Sequence, residues 1–480
     1  MSQFSELLKG YAKSSGGSNR KLAAKIGMDR TLLQKYLSGE RLPKNREEVE
    51  VLSKGLMLSV YQQGQLIELY YREVYGNKKY DCYLQIKTFY ENIENYIVND
   101  VFGESMQMRE EMIDLPEELM VRGTIQIQNV LVQYVKALSA RESEGIKIRL
   151  LVHPEQKELL HVLLIVCSRL KVEIEHIICF DANRSDNANF SALFSVLPFE
   201  INDITYQARY YYDFPEAQGK QMNLLENMIL IGDYAFICNR EMDECLILGR
   251  GESVDFFKRQ YEKIRKMTDV LEGSARYITN MTEYSNTTLS QNTAIEFGAF
   301  PCIMMGLDAR ILQKYLIADK LQKEEISAVL DNMIRQMKNQ TRLTNYFSEH
   351  ELRKFMETGE ISIYPDCIYR SPELADRLVI LSRLIDLAKK GVYIPYICNE
   401  AYFQMKNIMI MEYDENERLC VRWKEKDKLE KAIVVMEPSV GDTLVEFAGF
   451  AMENGWFYDE KESLERMEAI LKEFQEGKYI

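Results

Sequence analysis

The side chains with the most definite chemistry lie in residues 18–43, SNRKLAAKIGMDRTLLQKYLSGERLP. If Asp29 caps a helix that stops at Ser38-Gly39, then Leu33, Tyr36 and Leu37 share one face. Arg30, Thr31, Gln34, Lys35 and Ser38 then share the opposite face, at spacings of one, three and four residues. That face offers guanidinium, ammonium, hydroxyl and amide groups, the donors that reach base edges in a major groove. Around it stand Arg20, Lys21, Lys25, Arg41, Lys44 and Arg46. Cations so placed suit phosphate oxygens, which fix a protein's register without reading sequence.

The elements that must position these groups are short helices. Phe4, Leu7, Leu8 and Tyr11 make one helical stripe, stopped by Ser14-Ser15-Gly16-Gly17. Ser18 can cap a second helix carrying Leu22, Ala23 and Ile26, which Gly27 closes. Asp29 caps the third, and Pro43 precedes a fourth with Val49, Val51 and Leu52. Helices of 8–10 residues are too short to stand alone, so they must share a core. Ser59 and Gln62 then form a capping box that opens a longer helix burying Leu66, Ile67, Leu69, Tyr70 and Val74. An aromatic-rich helix follows over about 80–97.

Residues 18–43 resemble the helix-turn-helix domain of the Cro-repressor/XRE family. The matching places are Asn19, Leu22-Ala23, Gly27, Asp29, Gly39, Arg41 and Pro43. The resemblance implies base reading by Arg30, Thr31 and Lys35, and phosphate contact by Asn19 and Ser38. Gln34 joins the base-reading set by its place on the helix, and Arg20, Lys21, Arg41 and Lys44 join the phosphate set by charge. Leu37 departs from the family, whose members often have Glu there.

Charge agrees with this division. The whole chain of 480 residues carries −14 and is 46% hydrophobic, an ordinary globular composition. Residues 1–60 hold eleven Lys/Arg against six Asp/Glu, a net of +5, which leaves −19 for the other 420. Phosphate binding depends on local charge, so a basic head on an acidic body is compatible with nucleic acid. The N-terminus lacks a secretory pattern, and the longest apolar run, 159–167, is too short to span a bilayer. Nine scattered cysteines suggest no disulfide framework or zinc site. A cytoplasmic protein with no membrane contact, no metal and no cofactor is expected.

Residues beyond 60 alternate between helical and strand periods. Helices near 126–140 and 155–170 precede strands at 146–152 and 172–180; 204–212 follows as a strand, 228–238 and 245–248 as a hairpin, and 253–271 as a helix. The remainder reads as helix-rich, with apolar runs at 361–369, 406–413, 419–423 and 432–436. The expected architecture is multidomain: an all-α helix-turn-helix head (1–60), a helical connector (61–118), an α/β sensor domain (119–275), and a helix-rich α/β or α+β sensor or dimerisation domain (276–480). Stretches 66–80, 204–215, 229–264 and 355–385 resemble the long C-terminal regions of such regulators in Firmicute-type bacteria. The third is also similar to inactive phospholipase-D-like sensor modules.

Enzymatic chemistry finds little support in this body. The histidines, His153, His161, His176 and His350, never have Lys two residues on, so the phospholipase-D nucleophile pattern is absent. There is no phosphate-binding G-x4-G-K-[ST] loop. His176 and Cys179 fall on opposite sides of a strand. Tyr206, Tyr210, Tyr211, Tyr212 and Phe214 beside Arg209 read as core or dimer contact before they read as a ligand surface. The expectation is a non-enzymatic transcriptional regulator binding a double-stranded DNA operator, as a homodimer, under a small-molecule or peptide effector. The alternative is a phage-defence or nuclease-type enzyme with a helix-turn-helix targeting head.

Overall fold

Side-chain caps set the helices at the N-terminus. The computed structural model describes residues 2–16, 18–92, 115–183, 187–202, 204–213, 227–271, 276–277, 293–317, 328, 342–361, 369–406, 409–414, 418–424, 430–435 and 437–477. Ser2, Ser18, Asp29 and Asn45 each accept a backbone N–H from the helix that follows: α1 (Gln3–Ser14), α2 (Asn19–Ile26), α3 (Arg30–Ser38) and α4 (Arg46–Leu56). Caps of this kind stabilise a helix by about 1 kcal/mol. α5 (Val60–Tyr75) opens with both hydrogen bonds of the Ser59–Gln62 capping box, and α6 (Asn77–Glu91) follows. Val74 is exposed, and Tyr71 takes the buried place expected of it.

Packing divides the chain into two units. The first joins Met1–Ile86 to Gly449–Asn454; the second is Lys87–Ala448 with Gly455–Ile480. In the first, Phe4, Leu8, Leu22, Leu33, Tyr36, Leu52 and Leu66 are buried. α2 and α4 approach so closely that a Cβ on Gly55 would sit 2.3 Å from Ile26 Cγ1. Phe450 lies in a cup of tyrosines, its ring centroid 5.2 Å from Tyr71, 5.5 Å from Tyr75, 5.9 Å from Tyr80 and 4.8 Å from Tyr83.

The second unit holds two mixed sheets, which makes the observed class α+β. One has eight strands: β1 (Glu118–Arg122), β2 (Ile146–Leu151), β3 (Val172–Asp181), β4 (Thr205–Asp213), β5 (Asn227–Ile231), β6 (Tyr234–Cys238), β7 (Glu244–Gly249) and β8 (Asp269–Val270), in the order β1-β7-β6-β5-β2-β3-β4-β8. Strands β2, β3 and β4 run parallel, and β5 turns back on β2 to start an antiparallel meander. The other sheet has seven: β9 (Arg276–Tyr277), β10 (Thr293–Gly298), β11 (Leu343–Phe347), β12 (Tyr393–Ile397), β13 (Ile410–Asp414), β14 (Leu419–Lys424) and β15 (Glu430–Val435), ordered β12-β11-β10-β13-β14-β15-β9. Here too three parallel strands step outward from β10, and β13 turns back on it to begin a meander. The two sheets thus repeat one topology in chain order.

Two parts of the second unit depart from the expected strands. Residues 228–238 are two strands, because Gly232 adopts φ +56° and turns the chain at Gly232-Asp233. Strands β10, β11 and β12 fall outside the apolar runs picked out in the last 200 residues. Each is interrupted by an atypical residue: Glu296, Asn345 or Pro395. Glu296 and Asn345 are buried nonetheless, with Asn345 Nδ2 donating to Glu296 Oε1 at 3.1 Å. Most of 361–369 lies outside the described residues.

Candidate nucleic-acid interface

The helix pair of the first unit is built by a cap on each side of a glycine turn. Gly27 closes α2 at φ +73°, and the Asp29 carboxylate accepts from the N–H groups of Thr31 (2.8 Å) and Leu32 (3.0 Å) to start α3. α3 ends at Gly39, φ +76°, where a Cβ would meet Ser5 Oγ at 2.9 Å. Leu33, Tyr36 and Leu37 are buried; Arg30, Thr31, Gln34 and Ser38 are exposed, and Lys35 is half-buried. The helical phase read from spacing is the phase observed.

These side chains are partly ordered by one another. Asn19 Nδ2 donates to Gln34 Oε1 at 2.7 Å, joining the first residue of α2 to the middle of α3. Lys35 pairs with Glu40 at 3.1 Å, an exposed ion pair of small worth. Ser38 Oγ donates to the Lys35 carbonyl at 3.1 Å. Arg20, Lys21, Arg41 and Lys44 are exposed. Arg46 is not one of the phosphate-ready cations expected from sequence: its Nε binds Glu50 at 2.9 Å and its Nη1 donates to the Asn454 carbonyl at 2.6 Å.

Glu48 ties the exposed helix to the loop that follows it. It accepts from Tyr36 Oη (2.5 Å) and from the Lys44 N–H (2.9 Å), so the segment bearing Arg41 and Lys44 is fixed against α3. Burial pushes the Glu48 carboxyl up, but the two hydrogen bonds and the charges of Lys44 and Arg41 outweigh it and hold the group below the usual range. Burial and the bond to Glu48 raise the Tyr36 phenol. This pair is not legible in sequence, because a Tyr on a buried face signals only packing.

The other candidates disperse. His176 is fully buried with both ring nitrogens engaged, Nδ1 with Tyr206 Oη and Nε2 with the Val152 carbonyl, each at 2.8 Å. Burial lowers it to about 4, so it is a neutral core residue. Strand alternation splits the tyrosine cluster: Tyr210 packs on Phe180, Tyr211 joins a core with Ile177 and Met228, and Arg209 Nε donates to Thr268 Oγ1 at 2.8 Å. Phe214 lies outside the described residues. Among the described residues no group of three His, Cys, Asp or Glu is placed to hold a metal, and no helix is long and apolar enough to cross a membrane.

No protein-family model matches the chain, and no curated protein matches it in sequence. Solved structures that resemble it include TrmBL2, an archaeal chromatin protein described as showing a novel mode of DNA binding (12% identity over 42% of this chain and 68% of that one, TM-score 0.21). Others are a polyphosphate kinase from Porphyromonas gingivalis (12%, covering 75% and 55%, TM-score 0.22) and a phosphatidylserine synthase from Haemophilus influenzae (10%, covering 76% and 95%, TM-score 0.20). Two of these three are enzymes by description, so the expectation of a non-enzymatic chain is corrected and withdrawn. TM-scores near 0.2 assign no activity in its place. The absent His-x-Lys pattern bears on phospholipase-D chemistry alone.

Proposed function

We propose that this chain is a sequence-specific DNA-binding transcriptional regulator with a helix-turn-helix head of the Cro-repressor/XRE kind. Arg30, Thr31, Gln34 and Lys35 read base edges in the major groove, and Asn19, Arg20, Lys21, Ser38, Arg41 and Lys44 hold phosphates. The observation that carries this reading is the outer face of α3: a capped helix, packed through its apolar side, that presents cationic and donor groups outward. The charge split of +5 and −19 supports it, since an acidic body repels the duplex and leaves the head to engage it. The body pairs two chains, setting heads on half-sites about 34 Å apart, and an effector acts by favouring one of two arrangements. The head is residues 1–60, followed by a connector to 118 and two sensor or dimerisation regions, 119–275 and 276–480.

The test is operator selection by the full chain from random duplexes, followed by binding of variants. Arg30→Ala is expected to lose about 1–3 kcal/mol on the selected site and little on random DNA. Equal loss on both would reduce Arg30 to a phosphate contact, and no enrichment from the random pool would remove the reading. Light scattering of the protein with DNA checks the pairing; a strict monomer on a complete operator counts against it.

A further inference from the structure

Cys238 ends β6 and Cys245 lies in β7, and the two are direct partners across the antiparallel ladder. The next pair toward the loop is Asn239 with Glu244, and it carries a ladder bond, the Asn239 N–H donating to the Glu244 carbonyl at 3.1 Å. At the far end the Arg250 N–H donates to the Asp233 carbonyl at 2.9 Å, in the same alternation. Cys238 and Cys245 therefore occupy a non-hydrogen-bonded pair, where Cα atoms lie about 4.5 Å apart. A disulfide accepts Cα separations from about 4.4 Å upward, so the two sulfurs can bond without strand movement. Both thiols are free, each is 1% exposed, and each has the other as its neighbour across the ladder.

We propose that Cys238 and Cys245 form a reversible dithiol/disulfide couple, a modification site for low-molecular-weight disulfides such as oxidised glutathione. One thiolate attacks the oxidant's S–S bond, forming a mixed disulfide and releasing one small thiolate. The second cysteine then attacks the protein sulfur of that bond, closing Cys238 Sγ to Cys245 Sγ and expelling the second thiolate. The protein loses two electrons and two protons, and the small disulfide gains both as two thiols.

Burial sets the pace. The hydrogen bond between the thiols and burial hold Cys238 above the ordinary thiol range, so little thiolate is present while the hairpin is closed. Reaction requires the loop end to open. That loop is tied down by Asn227 Nδ2 to the Asn239 carbonyl (2.9 Å), Gln156 Nε2 to the Arg240 carbonyl (2.8 Å) and the Gly123 N–H to the Asp243 carbonyl (2.7 Å). The couple answers sustained oxidation and ignores brief pulses.

The experiment incubates the full chain with oxidised glutathione, traps remaining thiols by alkylation, and digests with trypsin without reductant. Arg240 lies between the two cysteines, so a linked product joins peptide 221–240 to peptide 241–250. The expected result is that linked product, two hydrogens lighter than the free pair and reversed by dithiothreitol. Cys238→Ser and Cys245→Ser, checked for parent-like circular dichroism and melting, are each expected to lose it and to carry one glutathione on the remaining thiol. Persistence of two alkylated thiols at full oxidant, or mapping of the lost hydrogens to another cysteine pair, overturns the proposal.

Discussion

At the scale of single residues, two carboxyl groups respond to pH in opposite senses. Glu48 is held low by its hydrogen bonds from Tyr36 and Lys44, so its contribution is fully present above the unfolded carboxyl range and is lost as pH falls through the folded value. Urea melts of the first unit's helices are expected to weaken below about pH 4.5, and Glu48→Gln to flatten that decline. Glu296 stands directly across from Glu412 in the ladder between β10 and β13, and burial followed by that neighbouring charge pushes it up to about 8. The folded state then keeps a proton that the unfolded chain releases, so stability falls as pH rises from the ordinary carboxyl range to about 8 and levels beyond. Arg422 pairs with Glu412, which leaves Glu296 as the group that stays neutral. Glu296→Gln keeps the Asn345 contact, and its melting midpoint is expected to overtake the parent's at pH 8; a parallel pH profile would show that Glu296 titrates normally.

At the scale of elements, α3 depends on its cap and on the close approach beneath it. Asp29→Ala removes the acceptor for two N–H groups and is expected to cost the first unit about 1 kcal/mol, read from chemical denaturation. Gly55→Ala forces a methyl against Ile26 and is expected to cost about 1–3 kcal/mol while leaving the exposed side chains of α3 in place. The helices around that contact were legible in sequence because their caps, glycine stops and apolar spacing all act within ten residues. The central strands of the last 200 residues were not, since Glu296 and Asn345 look like surface residues until each is seen to satisfy the other. The Cys238–Cys245 pair was hidden for the related reason that seven residues of separation say nothing until a register is known. Of the candidate site, the exposed face of α3 could be read from spacing, whereas the bond from Asn19 to Gln34 and the engagement of Arg46 by Asn454 depend on contacts between distant segments.

At the scale of the whole molecule, the electrostatic division predicts the salt response. Binding to any duplex is expected to weaken steeply with salt, and Lys44→Ala to lower the slope of log K against log salt by about one without changing operator preference. One strand topology recurs in the two sheets of the second unit, the same ladder order being built from different residues. Phe450 has a different kind of consequence. The first unit draws its tyrosine-lined plug from 360 residues beyond its own last helix, so it is discontinuous along the chain. During synthesis its helices emerge first, yet the cup of Tyr71, Tyr75, Tyr80 and Tyr83 stays unfilled until Phe450 has left the ribosome. A nascent chain that stops short of residue 450 would carry α3 on an incomplete core, so the first unit closes only after the segment Lys87–Ala448 has been made.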